Sequence, residues 1–171
     1  YLTNLFTRLS WDYELRDSFK NFRLICIPLI NPAGMDLIKR SNANGVDLMR
    51  NCPVESDADS HSLLVGHRIS PKLPWFRGFD SNKLELETQA VISFCQNKML
   101  CSPFAISIDL HSGFGLRDRL WYPYARTKSA FPLTYKMNEL ESLLNKTLPH
   151  HIYKIEQQSD SYTTSGDLWD Y

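Results

Sequence analysis

Ala105-Ile106-Ser107-Ile108-Asp109-Leu110-His111 alternates large apolar residues with small or polar ones and is rich in isoleucine. Alternation with a period of two is the pattern of a pleated strand, and β-branched side chains suit its surface. The stretch predicts a central strand that delivers His111 at its carboxyl end. Upstream lies a polar loop, Asn42-Ala43-Asn44-Gly45-Val46-Asp47-Leu48-Met49-Arg50-Asn51, preceded by Lys39 and Arg40. Further upstream, Arg23 to Ile30 predicts a buried strand. Asn31-Pro32-Ala33-Gly34 is the turn that ends it, because Pro and Gly interrupt the ladder and reverse the chain. Downstream, Leu120 to Tyr124 predicts another strand.

Helical signals separate these strands. Leu2, Leu5, Phe6 and Leu9 recur at helical spacing, so an amphipathic helix is already under way at the start. A second helix is expected from about Ser81 to Lys98, with Ser81 as its cap, Glu85 and Glu87 near its positive end, and Leu84, Val91, Phe94 and Cys95 on one face. Met137, Leu140, Leu144 and Leu148 mark a third, stopped by Pro149. Residues 51–80 carry Pro53, Pro71, Pro74, Gly66 and Gly78 and predict a long irregular surface segment. Loops of that length are uncommon unless functional.

Strands alternating with helices predict an α/β fold, in which ligands collect beyond the carboxyl ends of the strands, where His111 lies. The 171 residues, 43% of them hydrophobic, suit a single domain with its own core. Nineteen basic and nineteen acidic side chains cancel, so no whole-chain field exists to attract nucleic acid or an anionic membrane. Trp75-Phe76-Arg77 and Trp121-Tyr122 mix aromatic and basic residues, but without a basic stripe they point to packing rather than to nucleic acid. The longest apolar run, Leu24 to Ile30, is too short to span a bilayer and contains Pro28. Cys26, Cys52, Cys95 and Cys101 form no Cys-x-x-Cys pair and sit in or beside apolar segments, which favours buried free thiols; a Cys95–Cys101 bridge is the alternative.

A lone histidine after a strand is more commonly structural than metal-binding. What gives His111 weight is company. Asn31-Pro32-Ala33-Gly34, the Arg40 to Asn51 stretch, Asp109-Leu110-His111-Ser112, Tyr122-Pro123-Tyr124 and Tyr162-Thr163-Thr164-Ser165-Gly166 together, in this order, resemble the zinc carboxypeptidase family. The resemblance implies a mixed, mostly parallel central sheet with helices on both faces, formed here as part of one domain over residues 1–171. It implies a zinc-dependent hydrolase that cleaves a peptide's C-terminal amide bond with a metal-activated water.

The resemblance also assigns roles. His111 matches the third zinc ligand. Arg40, or Lys39 in the alternative register, matches the arginine that polarises the scissile carbonyl, a task suited to a fixed guanidinium. Asp47 matches the acid that orients a zinc-bound histidine, and Arg50 the clamp on the substrate's terminal carboxylate. Met49 stands where the family has an asparagine, so one arm of that clamp is lost, since a methionine side chain donates no hydrogen bond. Tyr162 matches the tyrosine that closes over substrate, and Asp167 falls near the floor of the specificity pocket, where an acid favours a basic side chain.

Two family elements are not in the sequence. None of His61, His67, His111, His150 or His151 begins a His-x-x-Glu motif, and no Glu follows the Tyr-x-x-Ser-Gly loop. The expectation is an internal segment of a longer catalytic domain. Met49 also keeps open a related zinc amide hydrolase of the aspartoacylase, desuccinylase or peptidoglycan-trimming kind. The absent ligands keep open a non-catalytic module on the same scaffold.

Overall fold

The structure, a computed structural model, describes residues 2–57, 63–111 and 115–171. Chain contacts divide them into two units, one running to Pro32 and the other Ala33–Tyr171.

In the first unit, helix α1 spans Leu2–Trp11 and helix α2 spans Tyr13–Ser18. The predicted helix forms, with Leu2, Leu5 and Leu9 of its apolar stripe half-buried and Phe6 exposed. Asp12 separates the helices: its amide donates to the Arg8 carbonyl at 2.7 Å, and its carboxylate accepts from the Leu15 amide at 2.9 Å. It thus closes α1 and caps α2, satisfying a donor that the helix start would otherwise leave unpaired. Residues Arg23 to Ile30 do not form the predicted buried strand. They are irregular and mostly exposed, and among the described residues no neighbouring strand pairs with them. An apolar run satisfies the local requirement of a buried strand, but burial also needs partners distant in the sequence.

Helix α3, Pro32–Asp36, takes the place of the predicted turn and starts on the proline. A proline fits the first helical position, where its missing N–H would have had no partner. The loop that follows is built around Asn42, whose Oδ1 accepts from the amides of Asn44 (3.0 Å) and Val46 (3.1 Å). Gly45 turns at φ 78°, and a Cβ there would lie 2.6 Å from Pro71. The loop then enters the interior, where Val46, Asp47, Arg50, Asn51 and Cys52 are all buried.

The described part of residues 51–80 is irregular, as predicted, but is not confined to the surface. Val65, His67, Phe76 and Arg77 are buried, and His67 pairs with Phe76 in an isolated parallel bridge. The reason lies in Arg77, which donates to the carbonyls of Arg50 (2.9 Å), Cys52 (3.2 Å) and Val54 (3.0 Å) and to Glu55 Oε2 (2.5 Å). One guanidinium therefore satisfies three backbone acceptors that have no sheet or helix to pair with.

Helix α4 spans Leu86–Phe94 and continues as a wider turn through Met99. It is shorter than predicted and begins after Glu85 rather than at Ser81. The Glu85 amide donates to Asn51 Oδ1 at 2.8 Å, and its carboxylate accepts from Asn42 (2.8 Å) and Asn44 (2.6 Å). The start of α4 is therefore set by the loop it braces. Strand β1, Arg119–Tyr122, pairs in parallel with strand β2, Lys154–Gln157, and helix α5, Thr134–Thr147, lies between them in the chain. Parallel neighbours need such a crossover. Helix α6, Gln158–Ser161, follows β2 directly.

This β-α-β arrangement is of the α/β kind. The larger mixed sheet with helices on both faces is not formed among the described residues, which make one two-stranded sheet. Ala105–Leu110 in particular forms no strand among the described residues, with Ile106 68% and Ile108 79% exposed, in place of the predicted central strand. All four cysteines are free, as expected, but only Cys52 is buried. Burial pushes its thiol up to about 12, so it stays protonated and inert.

Candidate active site

The loop from Asn42 to Asn51 and the segment Asp109-Leu110-His111 meet through Arg40. The Arg40 Nε donates to Asp47 Oδ2 at 2.6 Å, while its Nη1 lies 3.3 Å from His111 Nε2. Asp47 is held in turn: it is buried, and its Oδ1 accepts from the Met49 amide at 3.2 Å at the start of the short helical turn Leu48–Arg50. A carboxylate fixed in this way holds Arg40 by a charge-assisted bond. Arg40 itself is 44% exposed, so the pair orients the guanidinium more than it stabilises the fold.

A guanidinium only donates, so His111 Nε2 faces Arg40 as an acceptor, and the other ring nitrogen is Nδ1. That nitrogen lies 3.6 Å from Asp109 Oδ2. Hydrogen bonding from His111, with further help from Trp169 and Arg40, holds the Asp109 carboxyl below the usual carboxylate range against the opposing effect of burial. Asp109 is not among the residues picked out from the sequence. Its signal was spacing, because residues two apart in an extended segment share a face.

Arg50 behaves differently from Arg40. It is 3% exposed, its Nη1 donates to the Met49 carbonyl at 3.2 Å, and its buried Nε has no hydrogen-bond partner among the described residues. Two glycines make room for it. A Cβ on Gly66 would lie 3.2 Å from Arg50 Cδ, and one on Gly166 only 1.9 Å from the Arg50 carbonyl oxygen. Asp167, next in the chain, is also buried and caps the turn Leu168–Asp170 by accepting from the Trp169 amide at 2.9 Å. Burial pushes its carboxyl up to about 6, with Asp170 and Asp109 adding to the rise and Arg50 opposing it. Met49 is half-buried and meets Arg50 through its carbonyl.

Tyr162 stands after α6, half-buried, with its ring edge-to-face on Trp121. The Thr164-Ser165-Gly166 stretch beyond it is buried and tied down. The Thr164 amide donates to Ala125, that of Ser165 to Val65 and that of Gly166 to Val54. Ser165 Oγ accepts from the Ser56 amide at 2.9 Å. The structure therefore brings Arg40, Asp47 and His111 into one chain of contacts, and Arg50, Gly166 and Asp167 into another, with Tyr162 placed against Trp121.

The donor set does not fit a complete zinc site. A catalytic zinc takes three protein ligands and an open position. Among the described residues no group of three His, Cys, Asp or Glu side chains could hold a metal. His67 is committed elsewhere, with Nε2 2.8 Å from the Pro74 carbonyl and Nδ1 accepting from the Ile69 amide. His111 is one imidazole with Nε2 turned to Arg40, so no catalytic step follows from these residues through a metal.

A family model described as zinc carboxypeptidase matches residues 1–171. Neither the curated proteins nor the solved structures compared with the chain gave a match. The match covers the whole chain, and the ordered motifs from Asn31 to Gly166 lie within it: the chain belongs to the zinc carboxypeptidase family.

Proposed function

We propose that the chain serves hydrolysis of an amide bond at the carboxyl end of a peptide, with Arg40 as the catalytic donor to the developing oxyanion. The observation that carries this reading is the position of Arg40, locked by Asp47 at 2.6 Å and reaching to within 3.3 Å of His111. A preorganised cation beside the candidate ligand histidine is what stabilisation of a tetrahedral oxyanion requires. His111 is the residue of this chain that matches the family's zinc-ligand histidine. In this reading Arg50 takes the substrate's terminal carboxylate, Tyr162 closes over the substrate, Met49 stands at the clamp's second arm, and Asp167 lies near the floor of the specificity pocket. The partner is a peptide or amide substrate rather than nucleic acid or membrane, and no helix among the described residues is long and apolar enough to cross a membrane.

A second reading has its own support. Arg50 is buried and Met49 offers no side-chain donor, so the clamp on a terminal carboxylate is weak. This favours an amide substrate without a free terminal carboxylate, as in a deacylase or peptidoglycan-trimming hydrolase. A panel of peptides with free and amidated carboxyl ends, assayed with the full protein, separates the two by whether blocking the end abolishes turnover. In either case Arg40→Ala lowers kcat by about 10²–10³. Unchanged turnover in Arg40→Ala, or activity surviving His111→Ala, removes the catalytic reading and leaves a non-catalytic module on this scaffold.

A further inference from the structure

Trp121 and Tyr162 pack with ring centroids 5.7 Å apart and planes at 79°, the edge-to-face arrangement that the ring quadrupoles favour. Trp121 lies on β1 directly opposite Glu156 of β2. Its indole Nε1 donates to Glu156 Oε1 at 3.1 Å. The same oxygen accepts from the hydroxyl of Ser161, the residue just before Tyr162, at 3.0 Å. Arg119 and Lys154 complete the shell with ion pairs to this carboxylate. A single buried carboxylate thus grips both the indole and the chain that carries Tyr162.

Burial alone would raise the Glu156 carboxyl, yet Lys154, Trp121, Ser161 and Arg119 together bring it down to about 2. It therefore remains an ionised acceptor at any working pH. Beyond Tyr162 the chain is anchored again, since the Thr164 amide donates to the Ala125 carbonyl at 2.9 Å. With the backbone held on both sides, the ring contact with Trp121 restricts where the phenol stands.

We propose that Trp121 is a positioning residue, docking the Tyr162 ring on the β1 edge and so setting where its phenol meets the substrate. This rests on the reading of Tyr162 as a substrate-contacting residue. An edge-to-face pair shifts the docked population by roughly 2- to 12-fold.

The test uses the full protein with Trp121→Leu, which keeps apolar volume but removes the ring, and Trp121→Phe, which keeps an aromatic partner. Nitration of Tyr162 by tetranitromethane, located by peptide mass spectrometry, reports the dock directly, with the exposed Tyr135 as internal reference. Trp121→Leu is expected to raise Tyr162 nitration by about 2- to 12-fold while Trp121→Phe stays within about twofold of wild type. On an amide substrate, Trp121→Leu is expected to raise KM by a similar factor with kcat within about twofold, and to change nothing further in a Tyr162→Ala background.

Unchanged nitration in Trp121→Leu overturns the dock. Unchanged KM in an active protein, or a full additional effect in the Tyr162→Ala background, overturns the positioning role. A protein that hydrolyses no amide substrate refutes the proposed function instead, and the nitration ratio still decides the dock.

Discussion

Replacing Gly166 with alanine perturbs the junction on which the buried Arg50 depends. The new Cβ would stand 1.9 Å from the Arg50 carbonyl oxygen and 2.3 Å from its carbonyl carbon, with the residue at φ 76°. Two costs combine. An L residue held in the left-handed region costs about 1–2 kcal/mol, and forcing extra volume into packed backbone costs about 1–3 kcal/mol. Backbone cannot swing aside as a flexible side chain can, so the expected loss is about 2–5 kcal/mol. For a chain of this size that corresponds to a fall in Tm of roughly 4–20 °C.

Gly78 supplies the control. It has φ 88°, but a Cβ there would meet nothing closer than 3.7 Å, so Gly78→Ala carries the backbone cost alone. Urea unfolding of both variants, followed by fluorescence, measures the difference. The Gly166 variant should be the weaker by about 1–3 kcal/mol, the steric part. Equal losses in the two variants would refute the claim that the Gly166 backbone approaches Arg50 as closely as described, and a loss below about 0.5 kcal/mol at Gly166 would refute both parts of the reasoning.

Two further outcomes follow from the buried charges. The folded-state value for Asp167, about 6, lies above the ordinary 3.8, so the native chain binds the proton more tightly and stability from this group rises as pH falls from about 6 to about 4. Asp167→Asn, which retains a cap acceptor, should be more stable than wild type at pH 7 by up to about 3 kcal/mol, and the gap should close near pH 4 in denaturant titrations. A gap that widens on acidification would contradict the burial argument. Arg77→Leu strands three buried carbonyls and should cost about 3–5 kcal/mol in urea unfolding. A loss under about 1 kcal/mol would mean that water or neighbours satisfy those carbonyls.

Helix periodicity was legible in the sequence because it is local. Leu2, Leu5 and Leu9 in α1, and Met137, Leu140 and Leu144 in α5, lie on helices where their spacing placed them. Strands were legible only in part. Arg119–Tyr122 forms close to expectation, whereas its partner Lys154–Gln157 has one strongly apolar residue and no alternation to betray it. The apolar segments Arg23 to Ile30 and Ala105 to Leu110 carried the stronger local signal and remain unpaired among the described residues, since pairing is a property of the neighbour as much as of the strand.

By itself, the sequence determined the family, through the order of its motifs. It also determined the loop chemistry, since Asn42 and Gly45 bend the chain through bonds and torsions a few residues long. Only the tertiary structure decided that Arg50 is buried where Arg40 is exposed, that Arg77 carries the interior of a segment with the composition of a surface loop, and that Tyr162 rests on Trp121. The physical reason is reach: capping, turning and periodicity act within one turn or one pleat. Burial and the satisfaction of lone carbonyls depend on groups distant in the chain, as Arg77 is from Cys52, 25 residues away.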